Sequence, residues 1–451
     1  MYAGPAFALA VVGIPVYVYV PKFYSDTVGV DIAVMGYLLL SVRIFDAVID
    51  PLIGYISDNT RTRYGRRRPY IATGSLFLAA SLLLLFNPPY TSPYYETVWL
   101  GITIFSLFLF WTFVTVPYEA LGPELTFDYH ERTKLFSLRD GLLIAGTLAA
   151  AASPAVLTAL LGLTDDASDE RLKFFWISAL YAPLLIALCW ICVLGLTEMK
   201  TVAPRDTSPV STSGIKGFRG IGRNKAFLVL IVSYSIAAFG SNLPATLILY
   251  YVEYVLHSTR ADLFLVIYFV VGVGFLPAWV AISKKIGKKA AWLAAMVLNT
   301  VAFVFVFFLG PGDELLYGTL VALSGIGFGA TIAIPSAMQA DVIDYDELIS
   351  GQRREGQYVG LWSVTRKLAA AMGVGASLLI LGHAGYTPNA PQSPDVNLVL
   401  RTLYALVPCA CNALGFVIAL AYPLSPRVHE DIRQAIADRK AGRPFNDPLA
   451  E

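Results

Sequence analysis

Charge is scarce in this 451-residue chain: Asp, Glu, Lys and Arg make up 14% of it, against 56% hydrophobic residues. With a mean hydropathy of +0.62, that excludes an ordinary water-soluble domain, in which about a quarter of residues are charged. Histidine is scarce too. The four, His130, His257, His383 and His429, fall in loops or near the ends of apolar runs, which leaves no acid–base or metal constellation within them. Cysteine is equally sparse. Cys189 and Cys192 form a CxxC inside an apolar run with no second pair to complete a metal site, so they read as packing residues. Gly325, Gly327 and Gly329 superficially match a nucleotide loop, but without a strand or polar context they read as close helix packing. No enzyme, prosthetic cofactor, resident metal or nucleic-acid partner is expected, and a monomer is.

What the chain does have is a series of long apolar runs. A helix needs about 20 mostly apolar residues to cross the hydrocarbon core. Twelve such spans are expected, at about 4–22, 32–56, 70–87, 97–121, 138–163 and 172–197, then 226–256, 261–282, 290–310, 315–340, 357–384 and 398–424. The first run lacks a basic leader and ends on the polar Pro21-Lys22-Phe23-Tyr24, so it is read as a helix rather than a signal peptide. When the loops are numbered alternately, most of the 33 lysines and arginines fall on one side. These include Arg61, Arg63, Arg66, Arg67 and Arg68, then Lys284, Lys285, Lys288 and Lys289, then the tail from Arg427 to Arg443. The positive-inside rule makes that side, with both termini, cytoplasmic, in a multi-pass protein of the cell's inner membrane.

The longest polar stretch between spans, Glu198 to Arg223, is rich in Ser, Thr, Pro, Gly and basic residues and reads as a flexible linker. The segments on either side of it echo each other. Tyr64-Gly65-Arg66-Arg67-Arg68 follows the second span, and Lys284-Lys285-Ile286-Gly287-Lys288-Lys289 follows the eighth. After the fourth span come Pro117 and Asp128-Tyr129-His130-Glu131; after the tenth come Pro335 and Asp344-Tyr345-Asp346-Glu347. Two loop motifs recurring six helices apart mark parallel repeats. The expected architecture is therefore all-α and membrane-integral, with a six-helix half at 1–197, a cytoplasmic linker at 198–225, a second half at 226–424 and a cytoplasmic tail at 425–451. The shared glycine between basic residues permits a tight turn, and its cations can pair with acids such as Asp58, a gating contact.

The strongest chemical signal lies in the second span, Ser41-Val42-Arg43-Ile44-Phe45-Asp46-Ala47-Val48-Ile49-Asp50-Pro51. A charge at mid-span costs about 2.5–3.5 kcal/mol on insertion scales, so such residues are seldom there without a role. Asp46 and Asp50, four apart, share a helix face. Two carboxylates so close raise each other's pKa unless a cation sits between them. The pair is a cation or proton site, or else a structural pair satisfied by Arg43 or by helix ends.

The run from Arg43 to Arg68, with Asp46, Asp50, Pro51, Gly54 and a Gly-Arg-Arg-Arg-Pro loop, resembles the glycoside–pentoside–hexuronide:cation symporters of the major facilitator superfamily. Phe23-Tyr24-Ser25-Asp26, Ser241-Asn242, Tyr250-Tyr251, Ala261-Asp262-Leu263-Phe264 and Ala340-Asp341-Val342-Ile343-Asp344-Tyr345 also resemble this family, across nearly the whole chain. The resemblance implies the major facilitator fold and alternating access. It implies cation binding by Asp46, Asp50 and Thr112 with Lys367 nearby, and a cytoplasmic gate of Arg132, Asp341, Asp344 and Arg353. It places Trp111 and Trp362 beside a sugar. The positions where the family's melibiose carriers have acids and a tryptophan read Ala10, Thr115 and Glu119, so the resemblance does not extend to a melibiose-type sugar site. Glu119, Arg139 and Arg366, with Thr115, Asn242 and Ser363, are the candidate polar contacts for a sugar, glycoside or uronide, the arginines suiting a carboxylate. A lysophospholipid or other amphiphile is the alternative cargo. Ile49 stands beside Asp50 where sodium-using relatives have an asparagine, which removes one oxygen and favours a proton over sodium as the co-transported cation.

Overall fold

In the computed structural model the described residues are 1–125, 129–164, 166–196, 221–222, 224–351 and 354–449. Among them, twelve helices are long and apolar enough to cross a membrane. The first six are α1 (Gly4–Val28), α2 (Ile32–Asn59), α3 (Arg68–Leu85), α4 (Pro93–Leu125), α5 (Tyr129–Leu161) and α6 (Ala167–Gly195). The second six are α7 (Lys225–Tyr254), α8 (Ala261–Ile286), α9 (Lys288–Val306), α10 (Glu314–Ser350), α11 (Glu355–His383) and α12, which opens at Pro394 and runs to Ala419. A short amphipathic helix, α13 (Pro426–Lys440), occupies the expected tail. The expected linker lies almost wholly outside the described residues.

The twelve spans match their expected positions, but two helices outrun their apolar runs on the basic side, and α5 starts at Tyr129, nine residues before the expected 138. α10 continues ten residues past the apolar run, to Ser350. At about 1.5 Å per residue its 37 residues reach about 55 Å, against a hydrocarbon core of about 30 Å. Hydropathy registers only the part in lipid, so Asp344-Tyr345-Asp346-Glu347, read from sequence as loop, lies on a helix that projects beyond the membrane. Gly351, at φ +72°, ends it.

The two echoed turns share their geometry. Gly65 and Gly287 both take positive φ, +108° and +87°, which an L residue with a Cβ adopts only under strain. Gly287 alone separates α8 from α9, so Lys284, Lys285, Lys288 and Lys289 crowd around one turn.

One large apolar core contains residues of both halves, and its second-half members, such as Leu243, Tyr251, Phe264, Tyr317, Leu378 and Tyr404, lie toward the end away from the basic loops. At the basic end the second half has a core of its own, built from Phe227, Trp292, Met338 and Tyr358 and closed by Ile432 and Ala435 of α13. The halves are thus joined at one end and separately packed at the other. Small residues make the joined end possible. α2 and α11 cross so closely that a Cβ on Gly382 would sit 2.9 Å from the Ala33 Cβ, and one on Gly375 would sit 2.9 Å from the Leu40 Cβ.

Gly382→Val should therefore wedge α2 from α11 and lower the melting temperature of the purified protein, at an overpacking cost of about 1–3 kcal/mol. Gly274→Ala, on α8 with open space around it, should leave it unchanged. Equal melting temperatures for the two variants would contradict the close crossing.

Candidate functional site

The site forms where α2, α4 and α11 meet. Asp46 and Asp50 project from one face of α2, as their spacing requires. The Lys367 ammonium on α11 donates to Asp46 Oδ2 at 2.9 Å and also to Asp50. Thr112 on α4 offers its single hydroxyl proton to the other side of the pair, 3.0 Å from Asp46 Oδ1 and 3.1 Å from Asp50 Oδ1. All four residues expected at the cation site are therefore in contact. The two carboxylates differ in setting: the Asp46 side chain is 7% exposed, while those of Asp50 and Lys367 are each 25% exposed. Asp50 and Lys367 thus form the more open side of the site.

Pro51 shapes this opening. It has no N–H, so the Ala47 carbonyl loses its usual helical donor. Ala47, Asp50 and Pro51 line a cavity of about 230 Å³ whose other wall is Gly360, Ser363, Val364 and Lys367. Ser363 thus joins the cation pair's own cavity. Arg43 is not the partner of the acids: its guanidinium stacks 4.0 Å from the Tyr17 ring centroid and 4.8 Å from that of Phe108. Tyr17 in turn meets Trp111 edge-on at 6.2 Å. Across the interface Trp362 stacks on Tyr234 with centroids 4.2 Å apart. Each half thus carries a tyrosine–tryptophan pair. The tyrosines escaped sequence reasoning because nothing marks them among 25.

The other expected substrate contacts are more dispersed. Glu119 is exposed and lies within electrostatic reach of Arg139, Arg366, Asp50 and Lys367. Arg366 is also exposed. Arg139 donates from Nε to Asp140 at 2.8 Å and stacks over Phe136. Thr115 donates to the Trp111 carbonyl and Asn242 to the Ala238 carbonyl, each within its own helix. Of the expected gate, Arg353 and the side chain of Arg132 lie outside the described residues. Asp341 is bound by Lys288 of the second half at 2.6 Å, and Asp344 meets His429 of the tail helix α13 at 3.1 Å. Arg67 pairs with Asp58 at 2.9 Å, as the basic loop suggested.

A polar cluster at the joined end has no counterpart among the expected site residues. Asp26, at the end of α1, accepts hydrogen bonds from Lys22 at 2.6 Å, Tyr254 at 2.7 Å and Tyr386 at 2.7 Å, while its carbonyl accepts from Asn389. Lys22 also pairs with Glu253, Ser25 meets Tyr250 at 2.9 Å, and Tyr19 donates to Asp262 at 2.6 Å. These bonds tie the first helix to α7, α8 and the segment after α11. Acids at span ends are the sequence signal, but partners more than 200 residues away are not readable from it.

Two pseudo-equivalent six-helix halves around a charged mid-membrane site define a membrane carrier of the major facilitator fold. Solved structures agree on the fold. A D-xylose–proton symporter superposes with a TM-score of 0.65 at 13% identity, covering 94% of this chain and 96% of that one. The inward-open xylose transporter XylE from E. coli gives 0.64 at 13%, covering 98% of both. The family model for MFS/sugar transport proteins matches residues 1–426, and the chain belongs to that family, in its glycoside–pentoside–hexuronide:cation symporter branch. Similar curated proteins include the glucuronide carrier protein homolog of Escherichia coli K12, 29% identical over 93% of this chain and 90% of that one. The isoprimeverose transporter of Lactiplantibacillus pentosus is 27% identical over 94% and 88%.

Thr112→Val keeps the side-chain shape but removes the hydroxyl that serves both carboxylates. Losing a hydrogen bond to a charged group costs about 1.5–3 kcal/mol, so apparent affinity for the coupling ion should fall roughly tenfold to a hundredfold with expression unchanged. Thr112→Ser should restore most of it. An unchanged ion dependence of uptake in Thr112→Val would remove Thr112 from the site.

Proposed function

We propose that this protein is a secondary active symporter that moves a sugar or glycoside-like solute together with a cation by alternating access. The observation that carries the reading is the Lys367 ammonium on α11 held by Asp46 and Asp50 on α2. It is a tethered cation at the junction of two halves. A free cation that takes its place neutralises the acids and releases the lysine, so ion occupancy and the relation between the halves become one equilibrium. Relatives named as a glucuronide carrier homolog, an isoprimeverose transporter and a putative glycoside/cation symporter support the solute class.

A proton fits this arrangement best. Lysine already fills the space between the carboxylates, and Ile49 supplies no oxygen to a metal ion. A proton needs only one carboxylate, and Asp50 is the more exposed of the two. The tyrosine–tryptophan pairs offer apolar faces to a sugar ring, while Glu119 and Arg366 offer hydrogen bonds and charge. The lysine- and arginine-rich side is taken as cytoplasmic, which puts both termini there. The structure then corresponds to a form sealed at the outer end by the Asp26 cluster.

In proteoliposomes, an imposed pH gradient should drive accumulation of a sugar or uronide, with no response to sodium. Asp46→Asn and Lys367→Ala should each abolish concentrative uptake while leaving the protein in the membrane. Accumulation against a gradient by Asp46→Asn would defeat the coupling assignment, and sodium-driven uptake at constant pH would defeat the proton.

Asp26→Ala removes the acceptor shared by Lys22, Tyr254 and Tyr386. It should raise thiol labelling of a single cysteine in the cavity from the outer side severalfold. Labelling identical to the parent protein would show that this cluster does not hold the outer end shut.

A further inference from the structure

α13 lies against the C-terminal end of α10, and its contacts are those a helix C-terminus favours. The last carbonyls of a helix lack internal donors and carry partial negative charge. Arg439 donates to the Leu348 carbonyl, and Lys440 pairs with Glu347 at 2.7 Å. Ile432 and Ala435 are buried beneath the helix in the second half's own core, and the Pro426 ring packs on the Gly287 turn. At the start of α13, His429 Nε2 lies 3.1 Å from Asp344 Oδ2 and 3.5 Å from Asp341 Oδ1.

We infer that α13 is a pH-sensitive clamp in which the charged imidazole of His429 fastens the tail to the projecting end of α10 and keeps Asp341 and Asp344 engaged within the second half. The groups around the ring define its electrostatics. Asp341 and Asp344 face it from α10, and Lys288 at the start of α9 opposes its charge while binding Asp341. Glu430 and Arg433, on α13 itself, pair with each other at 3.8 Å near solvent. The hydrogen bond to Asp344 is the largest influence and holds the imidazole above its ordinary value of about 6.5. Because the docked value is raised, the stabilisation is complete below the free-histidine value and is lost as pH rises through the docked one. Both carboxylates face the same Nε2, so what a neutral ring loses is the charge that attracts them. Deprotonation therefore weakens docking of α13 on α10, while Lys288 keeps its hold on Asp341.

The consequence rests on the symporter reading and on the basic side being cytoplasmic. A proton-coupled importer acidifies the compartment it fills. Acid there tightens the clamp and holds α13 against the end of α10 that carries Asp341 and Asp344, so uptake slows itself.

The docking itself is tested without substrate. Spin labels on Ile286→Cys and Arg433→Cys, both at exposed positions, report the distance between the α8 end and α13 in lipid nanodiscs. From pH about 5.5 to about 9, the parent protein should pass from one narrow distance to a broad, longer distribution. His429→Gln should show the broad distribution at every pH, and His429→Arg the narrow one. A pH-independent distance in the parent, or an unchanged pH response in His429→Gln, would overturn the clamp. Failure of coupled uptake with the distance switch intact would instead count against the symporter reading alone.

Discussion

A charge in the middle of a membrane needs a partner, and here the partner belongs to the other half of the molecule. Asp46 and Asp50 come from α2, Lys367 from α11. Neither helix satisfies its own charges. Breaking a buried pair by removing one member typically costs about 3–5 kcal/mol, because the remaining charge is stranded. The halves can therefore rearrange only if something replaces the lysine at the acids or neutralises them. Under the proposed symport mechanism that requirement links ion binding to motion without any further device, and it accounts for a site at the junction rather than inside one half.

The glycine-lined crossing of α2 and α11 does the complementary job of bringing that junction close enough. With Cβ atoms at Gly36, Gly375 and Gly382 the helices would separate by a fraction of an ångström to more, and the Lys367 bridge would stretch with them. At the end away from the basic loops, the Asp26 cluster and the shared apolar core join the two halves. At the basic end the described ion pairs include several that stay within one half: Lys288 with Asp341, Arg67 with Asp58, and Arg354 with Asp346, which also accepts from Tyr358 at 2.8 Å. Two faces of one protein thus differ in whether their polar groups look across the interface or along it.

Much of this could be read from the residues. Twelve apolar runs, the glycine turns and the Asp46/Asp50 face follow from local pattern, which hydropathy and helical spacing capture directly. The contact of Thr112 and Lys367 with that face came from the family motif, and the geometry brings the four together. The α10 extension was not foreseen because its last turns are polar, and polarity beyond a span reads as loop unless periodicity is followed past the membrane edge. Arg43 shows a different limit. An arginine three residues from an aspartate invites an ion pair along the helix, yet the ring faces of Tyr17 and Phe108 hold it instead. Long-range partners such as Tyr386 for Asp26 depend on how twelve helices assemble, which no local window contains.

The same contrast bears on how the two ends can alternate. Closing the basic end requires polar groups that now pair within a half to exchange partners across the gap, and such an exchange conserves the number of ion pairs. The outer end opens by the reverse exchange, from bonds across the interface to bonds along it or to water. Since gains at one end offset losses at the other, the two forms can lie within a few kcal/mol of each other. In the proposed cycle the mid-membrane site tips the balance, because there the partner of the acids changes chemical identity, from a tethered ammonium to a mobile ion. On that proposal a small bound cation governs a rearrangement of whole helices, with the close α2–α11 crossing transmitting it.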